Sequence, residues 1–287
     1  MVTNNIARSD DGWTDDGRRG FIGVDVGVIG VTAFRTVDPP CPARSSRLAM
    51  QDYVDLIDDR TPMRALPLPL STGDVAAVAS AIAGLRARLS AVFVVGLAAA
   101  ESAAVQRRVA DAGGPLLITE IDAVTAALAA AVITMLRSRG VQRQRARVVM
   151  TGTESAPLLG PILIACGIGE LTYWHHRDSA EYPLNRLMEH NDILIDPNAG
   201  AAVPVAWDRT LTIPPDPFEY GALVVPGLLA ALCGLDVAAL DVEHLVAAAL
   251  AVAHLTPTGQ VLPELNEPLL VTTIARHVSQ TLADQHR

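Results

Sequence analysis

No lysine occurs anywhere in the 287 residues; all 22 basic side chains are arginine. The absence carries chemical weight, because a guanidinium keeps its proton throughout the useful pH range. It excludes Schiff-base catalysis, a lysine general base and a lysine reaching for a phosphate. Cysteine is scarce as well. Cys41, Cys166 and Cys233 stand far apart in the sequence and give neither a disulfide framework nor metal-ligand spacing, so a reducing cytoplasm is the expected setting. Positive charge is in deficit, with a net charge of -9. Nucleic acid and anionic lipid are disfavoured partners, since phosphate contact needs basic residues gathered on one face. Arg107, Arg108, Arg137, Arg139, Arg143, Arg145 and Arg147 do cluster along the chain, and a solvated surface accounts for them. The first 20 residues also lack the apolar core of a signal peptide, so none is expected. The opening MVTNNIARSDDGWTDDGRRG is polar and acidic and reads as a disordered tail over residues 1–20. The longest apolar runs, AVTAALAAAVITML (123–136) and GALVVPGLLAALCGL (221–235), are short for a bilayer span and predict buried helices, with no membrane segment.

What is present is apolar: 50% of the chain is hydrophobic, enough for a sizeable core. FIGVDVGVIGVTAF (21–34) reads as two short strands or one strand with a tight turn. ALPLPL (65–70) reads as an edge strand, because its prolines cannot donate to a central ladder. A helix follows from STGDVAAV, capped by Ser or Thr with an Asp in its first turn. Next come the strand AVFVVGL, a helix ending at glycine, the strand GPLLITE (114–120) and a long helix from about Ile121 to Arg139. This alternation implies a parallel sheet. Beyond the charged turn RGVQRQRAR it begins again, with VVMT, a helix, ELTYWHH (170–176), the helix AEYPLNRLMEHN and DILIDP (192–197), the start of a doubly wound sheet. Pro204, Pro214, Pro215 and Pro217 interrupt the chain, and helices over 218–233, 241–254 and 267–284 close it.

The stretch from PLPLSTGDVAAVASAIAGL through AVFVVGLAAAESAAV, GPLLITEIDAV and RVVMTGTESAPLLG to ACGI (67–168) resembles the middle of the malic enzymes, nearly without gaps. DILIDPNAG, FEYGALVVPGLLAAL and LVAAALAVAHL are similar to later segments of that family, and GVDVGVIGV resembles an early strand with Asp25 at its aspartate. The resemblance implies oxidative decarboxylation with a metal held by three carboxylates, a lysine base, a tyrosine acid, a substrate arginine and a dinucleotide. The chain departs from nearly all of these. The family's Glu-Asp pair falls on Val95 and Gly96, its substrate arginine on Glu101, and its two aspartates of the next segment on Thr119 and Glu120, with Asp122 at a histidine. The lysine region falls near SSRLAMQ, where no lysine stands. Magnesium or manganese wants several hard oxygen ligands, so no metal site is expected.

In the same register the three glycines of a dinucleotide fingerprint fall on Thr151, Thr153 and Ala156. A shift of one residue uses Gly152 but sets Glu154 and Pro157 at the other two positions. The first glycine of such a loop permits the turn, the second admits the pyrophosphate and the third lets helix and strand pack closely. Glu154 also brings a carboxylate to the place of an anion, and Pro161 is expected to kink the following helix or delay its start. If a dinucleotide binds, Thr151, Gly152, Thr153 and Ser155 are the loop that holds it, and Arg177, beside His175 and His176, could meet the 2′-phosphate of NADP. No cofactor is the leading expectation.

Five residues form the pool of catalytic candidates: Asp25, Glu120, Asp122, His175 and Tyr220. Glu120 and Asp122 could be an acid/base pair split by proximity, and they equally suit the cap of the helix that follows. His175 could serve as base or anion site. Tyr220 could donate a proton or be a core tyrosine. Asp196 and Asn198 in DPNAG would lie at strand carboxyl ends, where open sheets bind ligands, or form a turn.

The expected fold is therefore α/β. An N-terminal α/β substrate-type domain (21–139) precedes a Rossmann-like doubly wound domain with C-terminal helices (140–287), the last helix packing back. Alanine-rich helices, together with the resembled family's habit, lead us to expect a homodimer. Three functions stay open. The first is a metal-independent enzyme performing proton-transfer or lyase-type chemistry on a small organic acid, with a carboxylate ligand in the inter-domain cleft. The second is a noncatalytic scaffold or ligand-binding regulator, and the third an NADP-dependent oxidoreductase.

Overall fold

β-branched runs flanked by helices build two parallel sheets. The computed structural model describes residues 25–32, 45–72, 74–86, 88–198, 207–233, 235, 237 and 239–285. The N-terminal tail, Cys41 and Pro204 lie outside them. The first sheet contains β1 (Asp25–Val31), β2 (Arg64–Leu70), β3 (Ala91–Val95) and β4 (Leu116–Thr119) in the order β2-β1-β3-β4, all parallel. Its inner strands are buried on both faces, the condition that lets every position be apolar. The proline-bearing strand is at the edge, as ALPLPL demands. Within the described residues DVGVIGV forms one continuous strand, without a turn.

Helices cover both faces of this sheet. α2 (Val75–Ala83) and α3 (Ala99–Asp111) pack against Ile29, Val31, Val92, Val94 and Leu117. Asp74 caps α2, its carboxylate accepting the Ala77 N–H at 3.0 Å, so it stands one step outside the first turn. On the opposite face, α1 (Ser46–Arg60) and α4 (Glu120–Ser138) pack against Val28, Phe93, Val95 and Ile118. The sequence reading did not anticipate α1, whose apolar stripe is diluted by four aspartates and two arginines within SRLAMQDYVDLIDDR. Its Ser45 cap accepts the Leu48 N–H at 3.3 Å.

The second sheet runs β6-β5-β7-β8, again all parallel. It is formed by β5 (Arg147–Met150), β6 (Glu170–Tyr173), β7 (Ile193–Ile195) and the two-residue β8 (Thr210–Leu211), which lies too close to the prolines to show a sequence pattern. The helix α5 (Leu159–Ala165) begins late and is only seven residues long, with Pro161 in its first turn, the delay expected of that proline. Gly160 lies under the Tyr173 ring, its missing Cβ letting α5 settle on β6. The predicted helix over AEYPLNRLMEHN shrinks to α6 (Leu184–Met188), which packs with Trp174 and Leu194 on the outer face.

The last helices are α7 (Phe218–Leu232), α8 (Val242–Leu255) and α9 (Leu270–Gln285). α9 packs back across α7 and α8, while α7 also reaches α1 in the first half of the chain. Every residue of α4 from Asp122 to Leu136 is buried, and this helix touches β3 and β4 on one side and α5, α7 and α8 on the other. By length and composition α4 could cross a membrane, yet 83% of its apolar window is buried inside the chain. It is the axle of a single core that draws residues from both sheets. The alanines of α4 are thus covered within the chain and need no partner to bury them.

Candidate functional site at the strand carboxyl ends

In open parallel sheets ligands gather outside the carboxyl ends of the strands, where the strand order changes direction. At the end of β3, Val95 is fully buried and Gly96 takes a positive φ of 87°. A Cβ at Gly96 would lie 2.5 Å from the Val31 carbonyl oxygen and collide with Ser46 Oγ as well. The start of α1 and the end of β1 therefore occupy the space that a side chain would need. Glu101 is engaged locally, its Oε2 accepting the Ala98 N–H at 2.8 Å to cap α3.

The end of β4 is equally committed. Asp122 Oδ2 accepts the Thr119 N–H at 2.8 Å, the Thr119 hydroxyl at 2.7 Å and Gln106 Nε2 at 2.7 Å. This is a capping box on α4, with the carboxylate on its positive end. Burial pushes the Asp122 carboxyl above its ordinary value, and the hydrogen bonds from Thr119 and Gln106 oppose that shift without reversing it. Glu120, half-buried, occupies the first position of the same helix.

The loop after β5 makes a turn without making a phosphate cradle. Gly152 adopts the left-handed conformation at φ 51°, and a short 3-10 turn follows over Thr153–Ser155. The loop's donors face inward. Thr151 N–H donates to the Ile195 carbonyl at 2.9 Å, and Ser155 N–H to the Gly152 carbonyl at 3.0 Å. The Thr151 hydroxyl donates to Asp196 Oδ1 at 2.6 Å, and the Ser155 hydroxyl to Asn198 Oδ1 at 2.7 Å. Both bonds cross from the end of β5 to the end of β7, the crevice where a dinucleotide would lie. Thr151, Gly152 and Ser155 are thus brought together with Asp196 and Asn198, whereas Glu154 is exposed.

The remaining candidates lie elsewhere. Asp25 stands at the amino end of β1, the wrong end of the sheet for a strand-end site, and pairs with Arg64 Nε at 3.3 Å. His175 is exposed, and Arg177, its side chain 81% exposed, pairs with its neighbour Asp178 at 3.6 Å. Tyr220 is half-buried in the first turn of α7 against the main core, where burial, reinforced by Glu219, pushes its phenol up. The thiols of Cys166 and Cys233 are pushed up by burial to about 11 and about 12, which removes both as nucleophiles near neutral pH. Two contributors escaped the sequence reading: Gln106, which holds Asp122, and Ser46, which blocks Gly96. The Thr-x-x-Asp spacing of TEID already signals the cap. No local pattern signals the other two.

The donors do not fit a divalent metal. At the positions that the resemblance assigns to the family's carboxylates stand Val95, a hydrocarbon, Gly96, with no room for a side chain, Thr119, bonded to Asp122, and Glu120, the one carboxylate that remains, where Mg²⁺ or Mn²⁺ requires several hard oxygens. Among the described residues no group of three or more His, Cys, Asp or Glu side chains is placed to hold an ion. A pyrophosphate fits poorly as well, because the Thr151 and Ser155 N–H groups are already engaged and the helix behind the loop is short and late.

No protein-family model matches this sequence, and no curated protein matches it either. Solved structures do match, and they define the class first: a two-lobed α/β chain with a Rossmann-like second lobe. The NAD-dependent malic enzyme of Thermotoga maritima superposes with a TM-score of 0.70 at 14% identity, over 89% of this chain and 84% of that one. The malic enzyme of Entamoeba histolytica gives 0.72 at 13%, covering 91% and 70% of the two chains. That of Pyrococcus horikoshii Ot3 gives 0.71 at 12%, covering 92% and 77%. The protein is malic-enzyme-like in fold, and identity this low speaks to the fold alone.

Proposed function

We propose that this chain is a noncatalytic protein built on the malic-enzyme fold, a scaffold or regulator that works without metal and without a dinucleotide. One observation carries the reading: hydrogen bonds from Thr151 to Asp196 and from Ser155 to Asn198 close the crevice between β5 and β7 with the chain's own side chains. The blocked position at Gly96 and the absence of lysine point the same way. The Thermotoga maritima neighbour is described as NAD-dependent, so NAD and NADP are the cofactors to test. Thermal unfolding with NAD, NADP and their reduced forms is expected to leave Tm unchanged at saturating ligand, since any ligand of the folded state must raise it. A saturable rise with any of the four would sink the proposal. Malate with manganese and either oxidised cofactor is likewise expected to give no reduced nicotinamide.

A second reading has its own observation. Asp122 is a buried carboxyl held above its ordinary value beside the half-buried Glu120, the environment of a general acid acting on a small organic acid. Its three hydrogen bonds are those of a helix cap, which ranks this reading second.

A further inference from the structure

α8 keeps one stripe of its surface partly open, and the stripe changes character along its length. Glu243, Val246, Leu250 and His254 recur at helical spacing and so share a face. Val246 and Leu250 are half-buried against the core, whereas Glu243 and His254 are exposed. An open depression flanks each half of the stripe, and Leu250 lines both. The depression toward the amino end of α8 is acidic, with Glu243 and Asp284 in its wall beside Ala165 of α5. Ile164, next to that alanine, is 53% exposed and extends the apolar margin. The depression toward the carboxyl end is basic: Arg137 and Arg143 stand in its wall, and no carboxylate does. Arg137 donates to the Ala253 and Thr256 carbonyls at 2.9 and 2.7 Å, and Arg143 to the Cys166 carbonyl at 2.9 Å. These bonds hold both guanidiniums in place without cancelling them, because a helix end carries only roughly half a negative charge.

A face that is acidic at one end, apolar in the middle and basic at the other complements itself. Glu243 and His254 lie roughly 16 Å apart along the helix axis, with Val246 and Leu250 between them. A two-fold rotation about an axis beside Leu250 lays one α8 antiparallel to the other and brings the apolar middles together. It also sets the basic turn 140–144 of each copy against the acidic depression of the other, so the same contact forms twice. A partner of a single charge would match one end and repel the other, whereas a second copy supplies both complements at once. We propose that this face of α8 is where a second copy of the chain docks. The inference holds whether or not the chain is catalytic.

Sedimentation equilibrium of the full chain is expected to show a reversible dimer that high salt weakens. Glu243→Arg sets like charges face to face at both ends and should raise the dissociation constant roughly tenfold or more, and Arg143→Glu should do the same. Combining the two exchanges the charges and should bring the dimer back. Circular dichroism melts show whether each variant is folded. If Arg143→Glu, which also gives up the bond to the Cys166 carbonyl, does not fold, Gln144→Glu at an exposed position of the same turn replaces it, alone and combined with Glu243→Arg. The proposal is overturned if the chain is monomeric at every concentration, which would leave the face to a different kind of partner. It is equally overturned if the dimer is indifferent to salt, if it survives Glu243→Arg and is therefore built on another surface, or if the combined variant stays as weak as the single ones.

Discussion

Asp122 shows how one carboxyl can be legible in sequence and still change meaning in the structure. TEID displays the spacing of a helix cap, and the cap forms. Burial on the far side of that helix then raises the native value of the group above 3.8. A carboxyl raised by folding stabilises the native state below its unfolded value, and the contribution is lost as pH rises through the native one. Urea unfolding across this range should therefore show the parent losing stability relative to Asp122→Asn as pH climbs from about 3.8, with a constant difference above the native value. Gly96 is the converse, a residue whose significance only the neighbours reveal. Gly96→Ala places a Cβ against a carbonyl oxygen in a left-handed conformation, and a cost of at least ~1–3 kcal/mol in denaturant unfolding is expected. Gly96→Asp should be no more stable, and should show no manganese binding by calorimetry.

Among the elements, the loop from β5 to α5 was read most fully in advance, since missing glycines and a misplaced proline are local facts. The left-handed turn at Gly152 and the late start of α5 follow from them. The partners of the loop do not. Thr151 and Asp196 are far apart in sequence, and only the parallel pairing of β5 with β7 sets them 2.6 Å apart. Thr151→Val keeps the shape of the side chain but deprives a buried carboxylate of a donor, so a loss of ~1–3 kcal/mol is expected in urea unfolding. The helix α1 was missed because its polar residues dilute the apolar period, even though Tyr53 and Ile57 on its inner face are completely buried. The place of Asp25 at the amino end of β1 was hidden for a related reason. Sequence shows that a residue belongs to a strand, but which end of the sheet faces the ligand depends on the crossovers.

For the whole molecule, α4 decides the mechanical behaviour. It is buried against elements of both lobes, so the largest core draws on both sheets, while the other face of each sheet packs a smaller cluster of its own. Leu128, in the middle of α4 and fully buried, is the point to test. Leu128→Ala should cost ~2–5 kcal/mol, and the loss should appear in a single cooperative transition reported by probes in either lobe. Two separate transitions, with only one displaced, would show that the lobes unfold independently. The sequence by itself determined the two runs of alternating strand and helix, the edge position of the proline strand, and the absence of lysine and of glycine at Thr151 and Thr153, because periodicity, proline geometry and residue type are local properties. Only the tertiary structure decided that Ser46 would fill the space beside Gly96, that side chains from two strands would close the crevice, and that one helix would join both lobes through the largest core. Those outcomes depend on contacts between residues distant in the chain, and such contacts exist only once the sheets have formed.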